Sequence, residues 1–345
     1  MKMTNQQIRI TNQFRNLTEE ELRTAFLAAS QPPRINGNNF FNSFKYKYDL
    51  FAGNYSAALS QGIDLLNKCR AIDEDAFIRI HKGTAYYWLG AAAYLAKQVE
   101  LATYFMDAAV SEDMIGNADP INAPTPAMKY ILLDGVAPEQ AARPLVEAAQ
   151  AKVQDSINVY NNRDGHRATF RPLSLDDLRT QFIIPAISPG GEQWRSLMTT
   201  LISFRLEWDH NNELFDTCPP QGTFEPFFLH LFKGCVLFES LLKNNPNNPI
   251  TLPPENSNLG AVLQFLHNDL NIRHDISIGK IDFPTIVTNL VTADESIQTA
   301  IEFAGQIRNT VGHNLGWVIS LSKIDYQRLF QLVMSSCLHA IVCLY

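Results

Sequence analysis

Wherever this chain has a pattern, its apolar residues recur at three- and four-residue spacing, and strict alternation is rare. A 3.6-residue period gives each such segment one apolar helical face, whereas a half-buried strand needs a period of two. The chain is therefore expected to be all-α. With 345 residues it has length for about two domains, each able to bury its own core. At 46% hydrophobic and 18% charged it has the composition of a folded globular protein, and no apolar run reads as a bilayer span.

Three compartments are expected. Residues 1–160 hold a first cluster of helices, densest over 40–110. Residues 161–191 break the pattern with Gly, Pro and mixed charge, leaving one short helix that starts at the cap Ser174, and are read as a linker. Residues 192–345 lay out amphipathic helices near 192–215, 224–244, 258–268, 293–311 and from 323 to the end, with a Pro/Asn-rich loop over 244–258. That layout predicts an up-and-down helical bundle.

Within the first compartment, AYYWLGAAAYLAKQVELATYFMDAAV resembles a tetratricopeptide repeat (TPR) unit. Leu89-Gly90 stand at that family's Leu-Gly pair, Ala102 and Ala109 at its small packing positions, and Met106 at an aromatic one. Gly53-Asn54-Tyr55 with Ala58 resembles the middle of a preceding unit, though Ala58 and Ala102 stand farther apart than one repeat of about 34 residues. Short side chains let two antiparallel helices approach closely. The resemblance implies a helical hairpin array that binds or senses a protein partner, an antitoxin being one candidate.

Several classes are excluded or disfavoured. The polar start MKMTNQQIRITNQF has no apolar segment of signal-peptide type. Cys69, Cys218, Cys235, Cys337 and Cys343 are scattered and odd in number, without zinc spacing or a disulfide framework. A reducing, cytoplasmic setting is expected, with no membrane association. A formal net charge of −7 gives no basic stripe for tracking a nucleic-acid backbone, so any such role must be local to one phosphodiester.

The stretch RNTVGHNLGW at 308–317 is where chemistry concentrates. Cleaving RNA through its 2′-hydroxyl needs a base, an acid for the leaving oxygen, and positive charge for the developing phosphorane. His313 suits proton transfer near neutral pH, Arg308 offers a bidentate cation for phosphate oxygens, and Asn309 can orient either. No metal or other cofactor is required. On an unbroken helix, however, side chains five residues apart diverge by about 140° and about 7.5 Å along the axis. Gly312 is expected to end the helix and let His313 turn back toward Arg308.

The pattern Arg, polar residue, any three, His, late in a helical bundle, resembles the HEPN (higher eukaryotes and prokaryotes nucleotide-binding) family, over about 192–345. Its motif positions fall on Arg308, Asn309 and His313, and Glu239 in CVLFESLLK resembles the acidic residue often carried on a HEPN helix. The resemblance implies a metal-independent endoribonuclease of defence or toxin type, with RNA as substrate. It also implies a homodimer through the C-terminal bundle, because each motif brings one histidine and the family builds a composite site from two copies.

Other readings of the same residues stand beside this one. Arg308 and His313 can be a basic helix C-terminus favoured by the macrodipole, with Gly312 to Asn314 as its cap, in a binding scaffold without catalysis. His274-Asp275, with His267, Asp269, His230 and Asp294, offers the elements of an HD-type metal phosphohydrolase. Arg205 and His210 share the Arg-x4-His spacing and are read as surface residues near a helix end. Ser188-Pro189-Gly190-Gly191 reads as a turn, and Trp88 with Tyr86, Tyr87 and Tyr94 as hairpin core.

Overall fold

The computed structural model describes residues 17–32, 37–116, 121–122, 124–135, 137, 139–163, 171–217, 223–246, 258–313 and 321–345. About 74% of the chain is helical, and no strand occurs among the described residues, so the class is all-α as expected. Of the features read from the sequence, the polar start at 1–14, Cys218, most of the Pro/Asn-rich loop and Asn314 lie outside the described residues. The chain divides into two compact units, 1–150 and 151–345.

The first unit contains α1 (Glu19–Ala29), α2 (Gly37–Phe41), α3 (Lys45–Ala52), α4 (Tyr55–Ile72), α5 (Glu74–Arg79), α6 (Gly83–Leu95), α7 (Val99–Gly116) and α8 (Pro126–Ile131). Helix α3 ends at Gly53, whose φ of +88° is the left-handed cap that glycine adopts without strain. Helices α3 and α4 pack together, as do α6 and α7, and α4 lies against α6. The small residues act at these contacts. A Cβ on Gly62 would stand 2.5 Å from Leu89 Cδ2, and one on Gly90 would stand 2.9 Å from Met106 Cγ. Ala58, Ala102 and Ala109 are fully buried, and Tyr87 and Trp88 are core residues, as the sequence predicts.

The division at 150/151 falls inside α9 (Arg143–Asn161), ten residues before the expected end of the first compartment. The expected linker also contributes structure to the second unit. Ser174 caps α10 (Leu175–Leu178) in a reciprocal capping box with Asp177. A π-turn over Arg179–Ile183 and a last turn over Ile184–Ala186 follow, burying Phe182 and Ile183. These are core side chains rather than tether. Residues 164–170 lie outside the described residues. Ser188 to Gly191 form the expected turn, with Gly190 at φ +86°.

Four long helices carry the second unit: α11 (Glu192–Thr217), α12 (Glu225–Lys243), α15 (Ile297–Val311) and α16 (Lys323–Leu344). The shorter α13 (Leu259–Phe265) packs on α12, and α14 (Phe283–Leu290) on α15. Asn258, Asp282, Ser296 and Ser322 cap α13 to α16 by accepting the backbone N–H three residues on. Helix α16 packs on α11, α12 and α15. By length and composition it could cross a bilayer, but 72% of its most apolar window is buried inside the unit, where it fills the core. Gly234 allows the closest approach, since a Cβ there would lie 2.3 Å from Phe204 Cζ and 2.7 Å from Val333 Cγ1.

A buried polar chain crosses this core. The Tyr326 hydroxyl lies 2.6 Å from His230 Nδ1, and His230 Nε2 lies 2.7 Å from the Phe204 carbonyl. A carbonyl only accepts, so Nε2 carries the proton and Nδ1 accepts from Tyr326, whose oxygen in turn accepts from Asn211 Nδ2 at 3.1 Å. Burial drives the His230 pKa down to about 3, outweighing the hydrogen bond to Phe204. A second relay repeats the logic, with the Tyr160 hydroxyl 2.9 Å from His339 Nδ1 and His339 Nε2 2.8 Å from the Leu270 carbonyl.

Candidate functional site

Three of the four predicted site residues meet where α15 crosses α12. Arg308, in the last turn of α15, donates from Nε to Glu239 Oε2 at 2.6 Å and from Nη2 to Glu239 Oε1 at 3.3 Å. Lys243, one turn beyond Glu239 on α12, donates to Glu239 Oε1 at 2.5 Å. Burial raises the Glu239 pKa, but hydrogen bonds from Lys243 and Arg308 and their charges outweigh it, holding the carboxyl below its ordinary range. Asn309 accepts from Arg308 Nη1 at 3.2 Å and donates to the Ile278 carbonyl at 2.6 Å, so its amide orientation is fixed. The carboxylate is 10% exposed and the guanidinium side chain 34%, which leaves the cation within reach of solvent.

His313 is placed differently. Helix α15 ends at Val311, where Gly312 is expected to break it, but Gly312 keeps right-handed values of φ −61° and ψ −13°. The Gly312 N–H bonds to the Arg308 carbonyl and the His313 N–H to the Thr310 carbonyl, so the backbone winds on through His313. The side chain of His313 is therefore not turned back. It is exposed, and among the described residues no hydrogen bond or ion pair joins it to Arg308, Asn309 or Glu239. Glycine at 312 answers a packing need instead, since a Cβ would lie 3.1 Å from Phe232 Cε2 and 2.8 Å from the Arg308 carbonyl.

Sequence reasoning missed two contributors. Lys243 is legible in retrospect, because i,i+4 partners share a helix face. Phe232 belongs to a stripe of Leu229, Phe232 and Val236 at three- and four-residue spacing, which continues into Glu239 and Lys243. Leu229 and Val236 are 45% and 41% exposed. An apolar strip on α12 thus runs directly into the Arg308–Glu239–Lys243 cluster.

The rival sites fare differently. Arg205 is not a surface residue near a helix end: α11 continues to Thr217, and Arg205 is 5% exposed, donating from Nε to the Lys152 carbonyl at 2.9 Å. Both ring nitrogens of His230 are taken up by the buried relay. His267 and His274 stand edge to face at 5.0 Å, but His274, Asp275 and Asp269 are exposed and Asp294 caps α15 through Ser296 and Thr299. No group of three or more metal-ligating side chains occurs among the described residues. Lys233 donates to Ser203 at 2.9 Å, resembling a Ser–Lys pair, but its 2.5 Å ion pair with Glu207 uses the ammonium as a donor. Ser203 likewise gives its own proton to Glu207.

No protein-family model, characterised protein or solved structure matches this chain. The arrangement of these side chains is what any functional reading must rest on.

Proposed function

We propose that the second unit is a metal-independent endoribonuclease that works as a homodimer, with the first unit as a TPR-like partner-binding or sensing region. The observation that carries the reading is the oriented Arg308–Glu239–Asn309 group, with His313 free and exposed five residues after the arginine. One chain does not unite arginine and histidine, so the composite form of the site is required. The apolar stripe on α12 supplies a surface on which a two-fold partner can seat. There His313 of each copy completes the site as general acid or base, Arg308 holds the phosphoryl oxygens, and Glu239 and Asn309 fix the guanidinium. A scaffold without catalysis is favoured by one specific observation: Arg308 is already bound twice by Glu239, as in an ion-pair clamp between α12 and α15.

The test is incubation of full-length wild type and His313→Ala with total RNA, with and without EDTA. Wild type should cut RNA with or without the chelator, leave cyclic phosphate ends and spare DNA, which lacks the 2′-hydroxyl. His313→Ala should lose activity. Val236→Glu should give monomers by sedimentation and lose cleavage with them. A dimeric wild type that leaves RNA intact favours the scaffold, and full activity in His313→Ala overturns the site.

A further inference from the structure

The first unit carries a site that stands whether or not the second cleaves RNA. A cavity of about 330 Å³ opens between α3, α6, the C-terminal part of α7 and the start of α8. Asn42, Lys47 and Glu139 line it, and all three are partly exposed. Asn42 Oδ1 accepts from Lys47 Nζ at 2.8 Å and from Trp88 Nε1 at 3.0 Å. Both of those groups only donate, so the orientation of the Asn42 amide is fixed, and its Nδ2 has no acceptor among the described residues. The Tyr87 hydroxyl donates to Glu139 Oε2 at 2.9 Å, which holds the carboxylate and leaves Oε1 without a partner among the described residues. Neither Asn42 Nδ2 nor Glu139 Oε1 is sealed from solvent. The Trp88 face is already covered by Lys47 Nζ, 4.8 Å from the ring centroid, so what the cavity offers a ligand is polar.

Charge and size narrow that ligand. Lys47 and Glu139 carry opposite charges on one cavity, yet no ion pair joins them among the described residues. Burial presses the Lys47 pKa down and the Glu139 charge offsets it only in part, so the ammonium lacks a close counter-ion. Asp113, the other carboxylate on the wall, is engaged at both oxygens. It lies 3.3 Å from His81 Nε2 and accepts from the Thr125 hydroxyl at 2.5 Å. A simple anion would satisfy Lys47 and leave Glu139 unpaired, and a simple cation would do the reverse. A ligand bearing both charges satisfies both. The volume lies at the small end of the roughly 300–1,000 Å³ usual for ligand pockets. We propose that this cavity binds a free amino acid as its zwitterion, the carboxylate on Lys47 Nζ and Asn42 Nδ2 and the ammonium on Glu139 Oε1.

Glycine, L-serine and L-glutamine are the probes, read by titration calorimetry on the full-length protein at neutral pH. At least one should bind saturably. Its N-acetyl form, which keeps the carboxylate alone, and its carboxamide, which keeps the ammonium alone, should each bind about tenfold more weakly or worse. Substitution should separate the two charges. Lys47→Met should bring the amino acid and its carboxamide to equal affinity while still disfavouring the N-acetyl form. Glu139→Gln, which can keep the Tyr87 hydrogen bond, should do the reverse. No saturable binding of any of the three at millimolar concentration overturns the site. Either blocked form binding wild type as tightly as the amino acid overturns the zwitterion, and this comparison decides even where a variant fails to fold. Folded variants that weaken all forms alike overturn the assigned contacts.

Discussion

Replacing His230 by Phe tests whether the buried relay holds a neutral imidazole. The native pKa is pressed down to about 3 by burial, against an ordinary value of 6.5 that the unfolded chain restores. Between those values the unfolded state binds a proton that the native state does not, so stability is complete above about pH 6.5 and declines as pH falls toward 3. Across the interval from pH 6 to pH 5 the linkage amounts to about 1.2 kcal/mol, nearly the full 1.36 kcal/mol per unit for one proton. His230→Phe keeps a flat ring against Phe204 and Phe330, which stack on the imidazole at 4.5 and 5.8 Å. It removes the titration. It also strips partners from Tyr326 and the Phe204 carbonyl, a pH-independent loss of about 1–3 kcal/mol. Urea unfolding of both proteins at pH 6 and pH 5 separates the two effects, because carboxylate titration is common to both and cancels. Wild type should lose about 1.2 kcal/mol more than the variant over that unit. Equal losses, within about 0.3 kcal/mol, would refute a neutral buried His230.

Other outcomes follow from named contacts. Gly234→Ala gains about 1 kcal/mol of helix propensity but places a methyl 2.3 Å from Phe204 Cζ. Overpacking of about 1–3 kcal/mol should therefore make it a net destabiliser by urea midpoint, and a stabilised variant contradicts the packing argument. Glu239→Gln should cost only about 1 kcal/mol, because Arg308 and Lys243 are each about a third exposed. In the enzyme reading it frees Arg308 for phosphate, tightening RNA binding with a steeper salt slope, while the loosened guanidinium lowers turnover. An effect on stability alone supports the clamp.

The fold was legible because one period governs it. The helices found at Glu192–Thr217, Glu225–Lys243, Ile297–Val311 and Lys323–Leu344 lie within a few residues of the segments their apolar spacing predicts. Ser174 could be read as a cap from its own chemistry and that of Asp177 three residues on. The eight-residue α14 was harder to read. Two turns offer only Phe283, Ile286 and Leu290 as a periodic set, too few to stand out from a loop. The division between units also escaped the composition signal, because it falls inside the regular helix α9 rather than at the Gly- and Pro-rich stretch.

The candidate site shows where such reading stops. Residue type can mark Arg308, Asn309 and Glu239 as chemically able, but a separation of 69 positions between Glu239 and Arg308 carries no register that says they meet. That pairing, across 68 intervening residues, depends on the crossing of α12 and α15, set by side-chain volumes at the contact. The same limit explains Gly312. Flexibility is the property a glycine shows in sequence, yet here the right-handed backbone makes no use of it. What matters is the missing Cβ beside Phe232, a property of two helices rather than one. Arg205 makes the converse point, since its burial comes from a carbonyl on α9 and the rings of Trp208 and Phe330. Two Arg-x4-His spacings thus acquire opposite surroundings from tertiary contacts: Arg205 is buried on α11, and Arg308 keeps a route to solvent beside an exposed His313. Access of this kind is what phosphate chemistry needs. It makes the second spacing the one worth testing for catalysis.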